Sequence, residues 1–366
     1  MVRTVMLIFG TRPEAVKMCP LVKELENRSS LRTIVCVTGQ HREMLTSVLK
    51  VFEVKPDYDL CVMKEHQTLG EITSQVLTRL YPVLDKERPD LVLVHGDTNS
   101  SFAAALSCYY LKIPVGHVEA GLRTYDIRSP YPEEFNRQAV GILAEYHFAP
   151  TSAAADNLLR EGKEREHIFV TGNTGIDAMK TTIRKDYSNR ELTWAKGSRL
   201  IILTAHRREN LGEPLVRMLG AIRRVVDENT DIKVIYPVHP SPQVMETAEK
   251  VLGSHERIHL IGPLDVLDFH NFLNQSYLIL TDSGGIQEEA PGLGKPVLVM
   301  RDTTERPEGV EAGTLRLTGT KEEAVYQAFG LLLHNRLEYD RMSRASNPYG
   351  DGYACPRIAD IIECLR

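Results

Sequence analysis

Short apolar segments alternate with amphipathic helical segments along the whole chain. This alternation is typical of parallel sheets that are covered by helices on both faces. It predicts strands at 4–9, 32–38, 90–95, 114–119, 145–149, 167–171, 199–204, 232–236, 257–261, 277–281, 296–300 and 314–317. In the first half, helices are predicted in the gaps, at roughly 14–27, 41–52, 69–86, 99–111, 133–144, 151–161 and 174–185. We therefore expect an α/β protein with two Rossmann-like, doubly wound domains that face each other across a cleft.

The length of 366 residues also favours two domains, because one domain usually takes about 150 residues. A polar stretch at 185–190 interrupts the alternation and is typical of a linker. The first domain is thus predicted to end at residue 185, and the second to begin at residue 186.

Composition excludes several classes of protein. The net charge of -5 argues against a nucleic-acid binder. Six cysteines without a C-x-x-C pair favour reduced thiols in a cytoplasmic protein over a disulfide framework or a zinc site. The first residues read as a strand and not as a signal peptide, and no apolar run reaches the ~20 residues that cross a bilayer. We expect no membrane partner and no metal.

The turn after the first strand suits a phosphate. Gly10 leads into a helix that has Pro13 in its first turn, with Arg12 and Lys17 near its start. Unpaired amides at a helix start, together with a guanidinium and an ammonium, attract a diphosphate. Such a turn is as often a simple connection between strand and helix that binds no ligand. Lys17 can also form an ion pair with a nearby carboxylate instead of binding substrate.

Two strand ends in the first half carry the tripeptides His95-Gly96-Asp97 and His117-Val118-Glu119. If the two strands are neighbours, Asp97 and Glu119 approach each other at one rim, and two close carboxylates separate their pKa values. This predicts acid–base chemistry. Two alternatives stay open: Asp97 caps the next helix, or the histidines and carboxylates bind zinc or manganese.

A third acidic position follows two prolines. Glu133 and Glu134 stand in the first turn of a predicted helix, and Arg137 lies one turn beyond Glu133. The alternative to a functional role is a solvated helix start with an i,i+4 ion pair, and Arg137 can also pair with another nearby carboxylate.

The second half carries a nucleotide pattern. His206 and His239 each follow a strand, and Thr281 to Glu289 reads as a strand end, small residues and a helix. Backbone amides at Ser283, Gly284 and Gly285 can approach a diphosphate closely, or the glycines can form a tight turn without a ligand. Four further side chains complete this candidate nucleoside-diphosphate site: Glu289 for the ribose hydroxyls, Leu264 and Phe269 to sandwich a base or to join the core, and Arg306 among polar groups after a strand.

Together these segments closely resemble the non-hydrolysing UDP-N-acetylglucosamine 2-epimerases. The resemblance covers essentially the whole chain through FGTRPEAVKM, VTGQHREML, LVHGDT, GHVEAGLRT, YPEEFNR, TAHRREN, YPVH, TDSGGIQEEAP, GKPVLVMRDTTERPEGV and NPYGDG. It implies a GT-B architecture with an N-terminal domain at 1–185 that carries the catalytic carboxylates, a UDP-binding domain at 186–354, and a helix at 355–366 that crosses back to the first domain. It also implies a homodimer, and interconversion of UDP-GlcNAc and UDP-ManNAc without a metal or redox cofactor.

The resemblance also implies roles for individual residues. The family's catalytic carboxylates match Asp97, Glu119 and Glu133. Its substrate contacts match Arg12, Lys17, Arg137, His206, Leu264, Phe269, Ser283, Gly284, Gly285, Glu289 and Arg306. Many bacterial members bind a second UDP-GlcNAc as an allosteric activator, at positions that match Gln40, His41 and Gln67.

The expected reaction is elimination of UDP to 2-acetamidoglucal and its re-addition, because the C2 proton of the sugar has no adjacent carbonyl to acidify it. Its product would supply ManNAc for cell-surface polysaccharide. The alternatives are a GT-B glycosyltransferase, a hydrolysing epimerase that releases free ManNAc, and a nucleotide-sugar sensor without turnover.

Overall fold

The computed structural model describes residues 2–39, 42–63, 67–304 and 306–365. The chain divides into two compact units: one takes the residues up to Thr181 together with those from Tyr349 onward, and the other takes Thr182–Pro348. Each unit is built on one parallel sheet, so the predicted α/β class with two doubly wound sheets is confirmed.

The first unit has a seven-stranded sheet in the order β3-β2-β1-β4-β5-β6-β7. Its strands are β1 (Arg3–Phe9), β2 (Leu31–Val37), β3 (Tyr58–Asp59), β4 (Leu91–His95), β5 (Val115–Val118), β6 (Tyr146–Ala149) and β7 (Ile168–Val170). The helices between them are α1 (Arg12–Glu26), α2 (Arg42–Val51), α3 (Leu69–Glu87), α4 (Asn99–Leu111), α5 (Glu133–Leu143), α6 (Ser152–Arg160) and α7 (Thr174–Thr182), with a 3₁₀ turn at Arg165–His167.

The second unit repeats this plan with six strands in the order β10-β9-β8-β11-β12-β13. Its strands are β8 (Arg199–Thr204), β9 (Ile232–Pro237), β10 (Ile258–Ile261), β11 (Leu278–Thr281), β12 (Val297–Val299) and β13 (Leu315–Leu317). Its helices are α8 (Arg190–Ala195), α9 (Glu213–Glu228), α10 (Pro242–Leu252), α11 (Val266–Gln275), α12 (Gly284–Glu289), α13 (Pro307–Glu311), α14 (Glu322–His334) and α15 (Arg336–Ser343), with 3₁₀ turns at Arg208–Asn210 and Ala290–Leu293.

The last helix, α16 (Ala354–Cys364), belongs to the first unit and packs on α1. The buried carboxylate of Asp177 accepts hydrogen bonds from the amides of Ala354 (3.1 Å) and Cys355 (2.9 Å), which fixes the start of α16. The Arg3 guanidinium donates to the carbonyls of Ile362 and Leu365 at its other end. Both ends of this helix are therefore anchored to the first unit.

All twelve predicted strands are present, and the sequence pattern missed only β3 among the strands that the structure describes. Both sheets are buried on both faces, which is why their strands read as continuous apolar runs. The strand order reverses between β1 and β4 in the first unit, and between β8 and β11 in the second. Ligands bind at such switch points, beyond the carboxyl ends of the strands.

No helix in the described ranges is long and apolar enough to cross a membrane.

Candidate active-site residues

A buried carboxylate holds the glycine turn after β1. Glu14, only 2% exposed, accepts hydrogen bonds from the amides of Gly10 (3.0 Å) and Thr11 (2.7 Å). The Thr11 hydroxyl accepts from the Glu14 amide in return, so the pair forms a capping box. Glu14 also accepts from the hydroxyls of Thr98 (2.7 Å) and Ser101 (2.9 Å). This one side chain therefore joins the loop after β1 to the loop after β4.

The prediction of free helix-start amides is wrong at Gly10 and Thr11, because Glu14 takes both N–H groups. Lys17 forms an ion pair with Glu119, which confirms the alternative in which it partners a carboxylate. Arg12 is half-buried at the first position of α1.

Three carboxylates gather at the carboxyl ends of β4 and β5, which are neighbours as predicted. Asp97 follows β4, Glu119 follows β5, and Glu133 is the first residue of α5. Burial raises the pKa of Asp97, and the negative charges of Glu119 and Glu133 raise it further, against the opposing Arg137 guanidinium. The group is thus close enough for each charge to act on Asp97. The helix-cap alternative for Asp97 is wrong, because Thr98 caps α4 through its hydroxyl.

The first two of these carboxylates have different partners. Asp97 pairs with Arg137. Glu119 pairs with Lys17 and accepts from the side-chain amide of Asn173 at 3.3 Å. It also lies 3.7 Å from Nε2 of His95. The backbone of Glu119 has φ +63°, a left-handed conformation that is uncommon for a residue with a side chain and is concentrated at functional sites.

Glu134, which sequence reasoning did not select, shapes the loop beside these carboxylates. It is fully buried and accepts from the amides of Thr124 and Tyr125, both at 3.0 Å. Arg137 lies 3.4 Å from Glu134 in addition to its pair with Asp97, so it is part of a buried network and not of a solvated helix start. The adjacent pair Glu133-Glu134 gave no sequence signal to show which carboxylate is buried.

Two strand-end histidines of the first unit are buried, His95 at 4% exposure and His117 at 0%. Burial lowers the pKa of both rings, that of His117 to about 3. His117 Nε2 lies 2.8 Å from the Gly96 carbonyl oxygen, which suits a donating N–H. Both rings are therefore neutral near pH 7.

In the second unit a buried carboxylate again organises a strand-end loop. Asp282, with no exposed surface, accepts from the amides of His206 and Arg207 (2.9 Å each) and from the Asn210 side chain (3.1 Å). The His206 ring is parallel to His239, with centroids 5.2 Å apart. Burial lowers the pKa of His206, and Asp282 opposes this shift. Sequence reasoning missed the role of Asp282, although the residue stands inside the TDSGG segment.

The glycine turn after β11 is covered by a guanidinium. A Cβ on Gly284 would come 2.8 Å from Nη1 of Arg306, so a larger residue would force the guanidinium to shift. Arg306 pairs with the buried carboxylate of Glu288 through Nε.

The Ser283 amide donates to the Thr281 hydroxyl at 2.9 Å and is already bonded within the turn. A Cβ on Gly285 would lie 3.9 Å from a carboxylate oxygen of Glu289. The structure thus brings together Ser283, Gly284, Gly285, Glu289 and Arg306.

Leu264 and Phe269 are half-buried and pack against the core of the second unit, so they contribute at least in part to the core. Glu289 lies 3.6 Å from Nε2 of His270, whose Nδ1 is 2.6 Å from the Thr182 hydroxyl. Sequence reasoning did not select His270.

The predicted allosteric residues Gln40 and His41 lie outside the described residues. The side chain of Gln67 donates to the Val62 carbonyl at 2.9 Å. Within the described ranges, no group of three or more His, Cys, Asp and Glu is arranged to hold a metal ion.

Comparisons with known proteins agree over the whole chain. A family model described as UDP-N-acetylglucosamine 2-epimerase matches residues 23–363. The chain is 59% identical to the UDP-N-acetylglucosamine 2-epimerase of Bacillus subtilis (strain 168), over 97% of this chain and 94% of that protein.

The similar solved structures include complexes with ligands. The UDP-GlcNAc 2-epimerase from Neisseria meningitidis bound to UDP-GlcNAc is 44% identical with a TM-score of 0.90, over 99% of this chain and 100% of that one. The enzyme from Methanocaldococcus jannaschii in complex with UDP-GlcNAc and UDP is 34% identical with a TM-score of 0.81, at the same coverage. With its fold and its sequence in agreement, the chain belongs to the UDP-N-acetylglucosamine 2-epimerase family.

Proposed function

We propose that this enzyme interconverts UDP-GlcNAc and UDP-ManNAc by eliminating UDP to 2-acetamidoglucal and adding it back. The observation that carries the proposal is the cluster of Asp97, Glu119 and Glu133, in which Asp97 and Glu119 have different ionic partners and burial raises the pKa of Asp97. Pairs of carboxylates with separated pKa values are the equipment of acid–base catalysis.

Elimination fits the chemistry better than direct deprotonation. The C2 proton has no adjacent carbonyl, so the electron pair of the C2–H bond must form the C1=C2 bond as the C1–O bond to UDP breaks. A second, solvent-exchanged proton is then delivered to the opposite face of C2 when UDP adds back. Since proton removal and return occur on two faces, we propose that the three carboxylates share this work, without assigning a face to each.

In this proposal, side chains of the second unit bind the nucleotide part of the substrate. Arg306, which packs on Gly284, is a charge-assisted donor for the leaving diphosphate, and His206 is a second donor. Each well-placed donor of this kind contributes ~3 kcal/mol to transition-state stabilisation. We assign the ribose hydroxyls to Glu289 and the base to Leu264 and Phe269. Arg12, Lys17 and Arg137 contact substrate or hold the carboxylates, and neither a metal nor a redox cofactor takes part.

The test is incubation with UDP-GlcNAc in D2O, followed by NMR of the sugar. We expect deuterium at C2 and intact UDP-ManNAc. Product without deuterium at C2 would overturn the elimination mechanism. Free ManNAc would select the hydrolysing reaction, transfer to an added acceptor with C2 protium retained would select a glycosyltransferase, and UDP-GlcNAc binding without turnover would select a sensor.

We also propose a homodimer through the face formed by α3, α4 and α5. Helix α4 packs between the other two, and the three helices carry large exposed apolar side chains at Leu69, Tyr81, Tyr109, Tyr110, Phe135 and Ile142. Exposed apolar surface of this extent is typical of protein interfaces. Light scattering of the wild type and of Tyr110→Asp with Ile142→Asp tests this, and a dimer that persists in the variant would exclude this face.

Two further proposals rest on the family resemblance. A second UDP-GlcNAc activates the enzyme through Gln40, His41 and Gln67, so Gln67→Ala should weaken the dependence of the reverse reaction on added UDP-GlcNAc. The enzyme acts in the cytoplasm and supplies ManNAc for cell-surface polysaccharide; its six free cysteines support a reducing compartment. Cell fractionation and polysaccharide analysis of a deletion strain test these assignments.

A further inference from the structure

His95, the last residue of β4, presents a buried ring nitrogen to a predicted catalytic carboxylate. Its Nε2 is 3.7 Å from Oε2 of Glu119, and the residue is 4% exposed. This nitrogen is one of the few buried side-chain atoms that have no hydrogen-bond partner in the described part of the chain. Leaving a buried polar atom without a hydrogen-bond partner costs folding free energy. The position of this nitrogen beside Glu119 therefore indicates that it gains a partner when Glu119 is protonated.

The groups around the ring favour the neutral imidazole. Burial is the largest cause of the lowered pKa of His95, and the Lys17 ammonium lowers it further, against Glu119 and Glu14. On β5, His117 is close enough to interact with His95 and is itself neutral. A neutral imidazole with its proton on Nδ1 offers Nε2 as a hydrogen-bond acceptor.

Glu119 requires such an acceptor at one stage of the proposed reaction. The ionised carboxylate is held by Lys17 and Asn173, both of which present N–H donors to it. When Glu119 takes the proton from C2, its new O–H becomes a donor, and neither an ammonium nor an N–H of an amide can accept from it. Nε2 of His95 lies 3.7 Å from Oε2 of Glu119 and can accept.

We propose that His95 is a positioning residue that holds the protonated form of Glu119, by accepting a hydrogen bond from its carboxyl O–H at Nε2. The inference rests on the proposed function. The proton moves from C2 to Glu119 and stays there, the C–H electron pair forms the C1=C2 bond, and the C1–O pair leaves with UDP. His95 stays neutral throughout, and its hydrogen bond stabilises protonated Glu119 until that proton is released to solvent. C2 is reprotonated on its opposite face by another group. The charged groups that bear on this pair are Glu14 and Lys17 on α1 and Asp97 after β4.

Two substitutions separate this role from packing. His95→Leu fills the space without an acceptor, whereas His95→Gln offers an amide oxygen near the position of Nε2. His147→Leu is the matched control, because His147 on β6 is also a buried histidine with an unbonded ring nitrogen but faces no predicted catalytic carboxylate. The measurements are kcat across pH, C2–deuterium incorporation, and thermal unfolding of each purified enzyme.

Because the hydrogen bond stabilises protonated Glu119, its loss lowers the pKa of that carboxyl. We expect His95→Leu to reduce kcat about tenfold and to move one limb of the kcat–pH profile to lower pH by about one unit. His95→Gln should restore most of kcat and most of the limb's wild-type position. His147→Leu should leave both limbs of the profile in place.

The proposal is overturned if neither limb moves, if a limb moves to higher pH, or if His95→Gln is as impaired as His95→Leu. If His95→Leu fails to fold, the kcat–pH profile of His95→Gln decides. A limb within a few tenths of a pH unit of its wild-type position supports the acceptor role. A shift as large as one pH unit contradicts it. Failure of the proposed function would be seen separately, as absence of C2 deuterium in the product of the wild-type enzyme.

Discussion

The two units of this protein share the order of their first six strands and differ in the residues that follow the strands. In the first unit, β4 at the switch point and its neighbour β5 lead to the carboxylates of Asp97 and Glu119. In the second, the two strands at the switch point, β8 and β11, lead to His206 and to a glycine turn covered by Arg306. In the proposed function, the same backbone supports proton transfer in one unit and anion binding in the other, through a few side chains at strand ends.

Both units also contain buried carboxylates that bind backbone amides. Glu14 and Glu134 in the first unit and Asp282 in the second each accept two backbone amides and are almost fully buried. The proposed catalytic carboxylates Asp97 and Glu119 are held instead by side-chain cations. Backbone N–H partners thus distinguish these three carboxylates from the two proposed catalytic ones, while Glu134 also lies 3.4 Å from Arg137.

The largest expected effect tests the acid–base role of the first unit. Glu119→Gln keeps the shape of the side chain and removes the base, so kcat should fall by about 10²–10⁴ while UDP affinity stays unchanged. NMR turnover and titration calorimetry with UDP measure the two quantities. Glu166→Gln, at an exposed position, is the control. An equal loss of UDP affinity would place Glu119 in nucleotide binding and break the comparison.

The second prediction tests the anion role of the second unit. Arg306→Ala removes a charge-assisted donor, so UDP affinity should fall about 10- to 100-fold. It also leaves Glu288 buried without this guanidinium, so thermal stability should fall too. Calorimetry on Arg306→Ala and Arg306→Lys measures the affinity, and the lysine variant should keep part of it. Unchanged affinity in the alanine variant would remove Arg306 from the nucleotide site.

The third prediction concerns a backbone-shaping carboxylate. Asp282→Asn replaces one acceptor oxygen by an NH2 group next to backbone donors, which should cost about 2–3 kcal/mol of unfolding free energy. Urea denaturation checks this against Asp186→Asn at an exposed position. A variant that keeps wild-type stability would show that the loop at 206–210 does not depend on Asp282.

A smaller effect concerns pH. Burial lowers the pKa of His147 to about 4, below its usual value near 6.5. Between these values the unfolded chain binds a proton that the folded chain does not, so the stabilisation is complete above pH 6.5 and is lost as the pH falls toward 4. His147→Gln should reduce the slope of unfolding free energy against pH in this window, by up to ~1.4 kcal/mol per pH unit. Urea denaturation at several pH values measures the slope, and an unchanged slope would contradict the prediction.

The smallest effect is expected at an exposed ion pair. Arg217 and Glu213 are 3.2 Å apart on the surface of α9, one helical turn from each other. Arg217→Gln should change the unfolding free energy by less than about 0.5 kcal/mol, because solvent and salt screen such pairs. A loss above 1 kcal/mol would show that this helix depends on the pair.

Several features of the candidate site could not be predicted from the sequence. The amides of Gly10 and Thr11 looked free for a phosphate, yet Glu14 three to four residues later occupies both. Thr98, and not Asp97, caps α4. The pattern also missed β3, because two residues that pair only with β2 are too short to give a periodic signal.

The sequence by itself determined the fold class and the strand positions. Strands that are buried on both faces of a parallel sheet need continuous apolar segments, and these can be recognised in the amino-acid sequence. It also identified the residues at the strand ends as candidates, since these follow directly from the strand positions. Only the tertiary structure decided which carboxylates accept backbone amides and which pair with cations. That distinction depends on contacts between residues far apart in the chain, such as Lys17 with Glu119 and Arg137 with Asp97. No local pattern encodes those distances.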